Sequence, residues 1–178
     1  MTKMDHKWVA LLRGVNVGGA NKVPMADLRA RLTARGLSEV QSYIASGNLV
    51  FGACDGLDLE AQIADEIEAA FGLHIAVRVI GAKGFRAAVH RCPFEGAGQT
   101  VHGVFCWQTP AFDKGLLASL KASDETLQSD GDIVWLHAPS GIGRSKLMAA
   151  MERVVGTPFT ARNLNTLRRL AEMAAQAE

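Results

Sequence analysis

Asp58-Leu-Glu-Ala-Gln-Ile-Ala-Asp-Glu-Ile-Glu-Ala-Ala-Phe-Gly-Leu-His-Ile-Ala-Val-Arg-Val-Ile80 changes its hydrophobic period once, and that change decides the class of fold. Up to Phe71 the apolar residues Leu59, Ile63, Ile67 and Phe71 form one stripe with acids opposite, which predicts an amphipathic helix. Gly72 is placed to stop it. From Ile75 the pattern alternates: Ile75, Val77 and Val79 against Ala76, Arg78 and Ile80, as in a half-buried strand. Working backward, Val40–Ile44 and Leu49–Phe51 flank Ser46-Gly47-Asn48, the chemistry of a hairpin turn. Before them Pro24 suits the first turn of a helix that carries Met25, Leu28 and Leu32 on one face and ends at Gly36. Trp8-Val-Ala-Leu-Leu12 is continuously apolar, as a central strand covered on both faces would be. The order β-α-β-β-α-β is that of a split βαβ, or ferredoxin-like, unit.

The order then partly recurs. A short helix near Lys83–His90 leads to Pro93 and the loose Glu95-Gly-Ala-Gly-Gln99, where a domain boundary is expected. Val101–Trp107 reads as a strand, Lys114–Leu120 as a helix, and Glu125–Gln128 with Ile133–His137 as a hairpin around Ser129-Asp-Gly131. Ser145–Val154 is a second helix, Thr157–Thr160 a short closing strand, and Asn163–Ala175 a last helix with Leu164, Leu167 and Leu170 inward. The expectation is an α+β protein of two ferredoxin-like (βαββαβ) subdomains, a duplication inferred from element order alone. Their limits are residues 1–94 and 95–178, the second carrying the C-terminal helix.

Composition excludes several functional classes. With 48 % hydrophobic and 21 % charged residues, the chain of 178 residues can bury a sizeable core and is not disordered. A net charge of +1 leaves no global footprint for nucleic acid or an anionic membrane. Charge is uneven locally: residues 1–35 carry seven Lys/Arg against two acids, 141–170 six against one, and 52–71 six acids and no base. Cys54, Cys92 and Cys106 are odd in number and lack Cys-x-x-Cys spacing, so neither a disulfide framework nor a zinc ribbon is indicated. Met1–Lys7 is polar and the apolar run after it is short, so no signal peptide or membrane span is expected. A reduced, cytoplasmic setting follows.

Four stretches carry the polar chemistry. Arg13-Gly-Val-Asn-Val-Gly-Gly19 follows the first strand. Its glycines, Gly18 and Gly19 included, let backbone amides turn toward a ligand, Arg13 can fork onto a carboxylate or phosphate, and Asn16 adds a carboxamide. The alternative is a plain turn with Arg13 paired to an acid. Gly141-Ile-Gly-Arg-Ser-Lys146 follows a strand and opens a helix, the setting of a phosphate loop. It departs from Gly-x-x-x-x-Gly-Lys-Ser/Thr at Ala138 and Arg144, which argues against nucleotide hydrolysis. Arg144 and Ser145 are left as anion-binding candidates, against an ordinary helix start capped by Ser145. Thr160-Ala-Arg-Asn-Leu-Asn-Thr166 opens the last helix: Asn163 is a good cap, and Arg162 and Asn165 either read a ligand or join the halves through buried hydrogen bonds. Ser46 and Asn48 belong to a turn first and to a ligand site second.

No nucleophile–base pair is evident, and no catalytic residue, cofactor or metal site is assigned. His90/Cys92 and His102/Cys106 lack further ligands at recognisable spacing. His137, beside the Gly141 loop, is the best imidazole candidate.

Leu11–Gly19, Val23-Pro-Met25, Tyr43-Ile-Ala-Ser-Gly-Asn48, Gly141–Lys146 and Thr160–Thr166 together resemble a bacterial family catalogued as domain-of-unknown-function family 1697. The resemblance spans nearly the whole chain and implies two ferredoxin-like subdomains. It brings no activity, cofactor or catalytic residue with it. Ala45 stands where that family usually has Gln, and Leu164 where it usually has Trp.

The leading functional expectation is a small anionic ligand, phosphorylated or nucleotide-like, bound between the halves by Arg13, Asn16, Arg144, Ser145 and Arg162. On that reading the 13–19 and 160–166 segments meet across the groove. One alternative is single-stranded RNA or other nucleic acid, argued from local basic charge and weakened by an aromatic content of only 6 %. Another is a protein-interaction or structural module, in which the Arg/Asn/Gly motifs hold the chain together.

Overall fold

The structure, a computed structural model, describes residues 6–176. It is α+β, with two four-stranded antiparallel sheets among the described residues. Two compact units divide the chain: residues up to Ala87 together with those from Arg169 onward, and Ala88–Arg168.

The first unit contains β1 (His6–Leu12), α1 (Met25–Ala34), β2 (Ser38–Ser42), β3 (Asn48–Ala53), α2 (Leu59–Phe71) and β4 (Val77–Gly81). Its sheet runs β2-β3-β1-β4. β1 lies between two partners, Ala10 facing Leu49 on one side and Val79 on the other, which explains its unbroken apolar run. Ala10 and Leu12 enter a core with Leu28 and Leu32 of α1 and Ile63 and Ile67 of α2. Both signals that bound α2 act as their chemistry requires. Asp58 caps it by accepting from the Ala61 N–H at 3.0 Å, and Gly72 ends it in the left-handed region at φ 67°. Glu66 of α2 accepts from Arg35 Nε at 2.7 Å and lies 3.6 Å from Arg31 Nη1, tying α2 to α1. The Arg35 hydrogen bond is the main reason its carboxyl titrates below the ordinary value.

After α3 (Ala82–His90) come β5 (Val101–Cys106), α4 (Lys114–Leu120), β6 (Thr126–Asp130) and β7 (Ile133–His137). A single 3-10 turn (Ile142–Arg144) then precedes α5 (Lys146–Ala149), α6 (Met151–Val155), β8 (Phe159–Asn163) and α7 (Leu164–Ala175). This sheet runs β6-β7-β5-β8, the same arrangement as the first. One face of it packs Val104, Cys106, Val134 and Leu136 against Leu147, Met151 and Val154 of the short helices.

Several elements differ in their bounds from the pattern read off the sequence: β4 begins at Val77 rather than Ile75, β6 runs Thr126–Asp130 rather than Glu125–Gln128, and three further differences have a plain local cause. β2 stops at Ser42, because Ile44 turns into the left-handed region at φ 50° and takes the chain out of the sheet. The helix expected over Ser145–Val154 is broken at Ala150, whose N–H is shared between the Lys146 and Leu147 carbonyls at 3.2 Å each. The closing strand is Phe159–Asn163 rather than Thr157–Thr160, since β5 offers it partners as far as His102, opposite Asn163.

Gly103 lies in register between Trp135 and Arg162, where a side chain has no room. A Cβ there would stand 2.9 Å from Leu167 Cδ1 of α7 and 3.2 Å from Trp135 Cζ3. Gly103→Ala is expected to cost about 1–3 kcal/mol through overpacking, read as a lower urea midpoint at unchanged slope.

Candidate functional site

The glycine-rich stretch after β1 folds into a small hairpin of its own. Val17 and Ala20 bridge, the Ala20 N–H bonds the Val17 carbonyl at 3.1 Å, and Gly18 and Gly19 occupy the turn at φ 60° and 78°. Two successive left-handed residues define the tight turn for which glycine is best suited. Behind it the Asn16 carboxamide is heavily engaged. Its nitrogen donates to the Val23 carbonyl at 2.9 Å and the Ala45 carbonyl at 2.7 Å, while its oxygen accepts from the Val23 N–H at 2.9 Å. Asn16 thus fastens the hairpin to the start of α1 and to the β2–β3 connection. The Arg13 N–H bonds the Ala76 carbonyl at 2.9 Å.

The Ser46-Gly47-Asn48 turn is built just as tightly. Asn48 is fully buried, and its amide donates to the Tyr43 carbonyl at 3.0 Å and to Ser46 Oγ at 3.2 Å. The Gly47 carbonyl accepts from the Leu12 N–H at 2.8 Å. The hairpin, the start of α1 and the chain from Ser42 to Ala45 border a cleft of about 640 Å³ whose lining includes Lys22, Val23, Met25, Ser42, Ile44 and Ala45.

The candidates of the second unit are spread over several local roles. Asn163 caps α7 by accepting from the Thr166 N–H at 2.9 Å. Asn165 lies against Gly98, where a Cβ would collide with its side-chain oxygen, and the Leu164 N–H bonds the Gly98 carbonyl at 3.0 Å. Arg162 is a strand residue, buried, with Nη1 donating to Thr160 Oγ1 and the Ala161 carbonyl, both at 2.8 Å. Burial draws its pKa down to about 10. Ser145 caps α5 by accepting from the Met148 N–H at 3.0 Å.

Arg144 is different. It borders a cleft of about 340 Å³ shared with Lys121, Asp124, Glu125, Ser140 and Lys146. The two acids are committed to internal partners: Asp124 accepts from Ser140 Oγ at 2.6 Å and Glu125 from the Ala122 N–H at 2.8 Å. The Ser140 hydrogen bond is the main cause that lowers the Asp124 pKa. Lys121 Nζ donates to the Glu125 carbonyl at 2.8 Å. Arg144 and Lys146 are exposed, and neither forms an ion pair among the described residues. Lys121 and Ser140 carried no signal in the sequence, because Lys121 ends a short helix and Ser140 reads as turn chemistry. His137 stacks obliquely on Phe94 at 5.7 Å and adds a minor favourable charge interaction to Asp124.

Two general facts bear on partners. The strongly exposed large apolar side chains among the described residues are Val17, Ile44 and Leu57, none of them an aromatic able to stack on a base. No helix among the described residues is long and apolar enough to cross a membrane.

Comparison with known proteins agrees with this architecture. The conserved bacterial protein SP0830 from Streptococcus pneumoniae superposes with a TM-score of 0.64 at 27 % identity, over 96 % of this chain and 99 % of that one. None of the curated proteins compared with the chain matches it. A protein family of unknown function, DUF1697, matches residues 5–135, well over half of the sequence. The chain belongs to the DUF1697 family.

Proposed function

We propose that this protein binds a small anion bearing a phosphoryl group in the cleft beside Arg144 of the second unit. The observation that carries the reading is the imbalance of commitments there. Asp124 and Glu125 stay anionic but are held by Ser140 Oγ and the Ala122 N–H, whereas Arg144 and Lys146 form no ion pair among the described residues, and with Lys121 the lining carries three cations against two carboxylates. A guanidinium supplies a planar fork for two phosphate oxygens, and an ammonium supplies a mobile point charge beside it. Asn16 and Asn48, which the sequence also puts forward, support the reading less, because internal hydrogen bonds occupy them.

We also infer that each half is a ferredoxin-like unit and that the two arose by duplication. The recurring β-α-β-β-α-β order and the matching sheet orders support this. No disulfide joins the three cysteines among the described residues, which is in keeping with a reduced, cytoplasmic setting.

A thermal-shift screen with inorganic phosphate, pyrophosphate and simple phosphate monoesters tests the ligand reading. A compound at about 100 times its dissociation constant stabilises the native state by about 2.7 kcal/mol. The Arg144→Ala/Lys146→Ala double variant is expected to lose that shift while keeping its unliganded melting temperature, since both side chains are exposed. Equal shifts in wild type and double variant, or none in either, contradict the reading.

A further inference from the structure

We propose that the larger cleft, in the first unit, is a second ligand site of different chemistry, built for a small amphiphile with an apolar body and a carboxylate head. At about 640 Å³ it falls within the range occupied by small-molecule sites. Its walls are mainly apolar: Val23, Pro24, Met25, Ile44 and Ala45.

The side chains that border the cleft supply donors and positive charge and no carboxylate. Asn16 borders the cleft, but Val23 and Ala45 take up both its amide donors, and its oxygen already accepts. Ser42 Oγ accepts from Arg29 Nη1 at 2.7 Å, which brings a guanidinium up behind the hydroxyl and leaves the hydroxyl hydrogen able to donate. Lys22 is exposed and has no ion pair among the described residues. A hydroxyl able to donate, the Lys22 ammonium and the Arg29 guanidinium behind Ser42 call for an anionic acceptor, and the walls call for an apolar body. A carboxylate on a hydrocarbon or aryl body satisfies both requirements.

The rim adds an independent observation. Ile44 is β-branched, held at φ 50° and 52 % exposed. A left-handed β-branched residue is strained, and an exposed apolar side chain gains nothing from burial within the chain. The strain is kept because its neighbour is pinned, the Ala45 carbonyl by Asn16. The result is an apolar side chain fixed at the mouth of the cleft, where a ligand would cover it.

The test is a 1H–15N NMR titration of the full chain with octanoate, matched by octanol and by inorganic phosphate. Octanoate is expected to produce saturable shifts at Lys22, Met25, Ile44 and Ala45. Octanol should bind about tenfold more weakly for want of the charge pair, a difference worth about 1.4 kcal/mol. Lys22→Ala should bring octanoate down to the level of octanol and leave octanol unchanged. Ala45→Trp, at an exposed position, should fill the cleft and abolish both, with resonances elsewhere showing that the fold is retained. Equal affinity for octanoate and octanol, shifts that map to other residues, or unaltered binding by Ala45→Trp would overturn the proposal. Phosphate should leave these four residues unshifted. Its effect near Arg144 reports on the other cleft alone, so either site can fail without the other.

Discussion

Gly47→Ala is expected to destabilise the protein by about 2–5 kcal/mol, from roughly 1–2 kcal/mol for the left-handed backbone and about 1–3 kcal/mol for overpacking. The backbone there sits at φ 82°, a region that side chains with a Cβ rarely adopt. A Cβ would also collide with Val15 Cγ2 and stand 2.7 Å from Leu12 Cβ. Both neighbours are fully buried, so neither can swing aside into solvent. The Leu12 N–H to Gly47 carbonyl bond holds the two segments at this distance. Gly18→Ala separates the two causes. Gly18 is also left-handed, at φ 60°, yet has open space around it. Its substitution should cost only the backbone part, about 1–2 kcal/mol. Urea unfolding of both variants is the measurement. Equal losses would mean that the contact with Leu12 and Val15 is not what makes glycine necessary at position 47.

Acidification from pH 6.5 to 4 is expected to remove up to about 3 kcal/mol through His102, at about 1.36 kcal/mol per pH unit of difference. His102 is 8 % exposed, its Nδ1 is buried without a hydrogen-bond partner, and burial lowers its pKa to about 4. Because the folded pKa is depressed below the ordinary value of 6.5, the unfolded chain takes up a proton first. The contribution is therefore whole above pH 6.5, falls steadily below it, and is gone near pH 4. Glu66 and Asp124 act lower down: their pKa values are depressed from 4.5 and 3.8, so their stabilisation is lost only as the pH falls below those values. His102→Leu keeps the site apolar and removes the titrating group. Over pH 6.5 to 4 the wild type should lose more unfolding free energy than this variant by the amount stated. Parallel curves would show that His102 is already accessible to protons in the native state.

Much of this protein was legible as local code. Leu59, Ile63, Ile67 and Phe71 at helical spacing, Asp58 before them and Gly72 after them bound α2 without reference to anything distant. The alternation from Ile75 and the apolar run Trp8–Leu12 likewise pointed to their strands, and element order pointed to two similar sheets. Hydrophobic period and capping chemistry are properties of near neighbours in the chain, so sequence alone determined them. Tertiary structure decided how each polar group is used. Asn16 spends its amide on Ala45, 29 residues away, and Gly47 is needed because Leu12 and Val15 press on it. Arg162 became a buried strand residue because β5 extends the pairing of β8 by three residues beyond the expected end. Arg144 and Lys146 are left without ion pairs because folding holds the Asp124 and Glu125 carboxylates against Ser140 and Ala122 instead. A carboxamide, a guanidinium or a carboxylate has the same formula whether it binds a ligand or its own backbone. Only the groups that folding brings within about 3 Å of it select between the two.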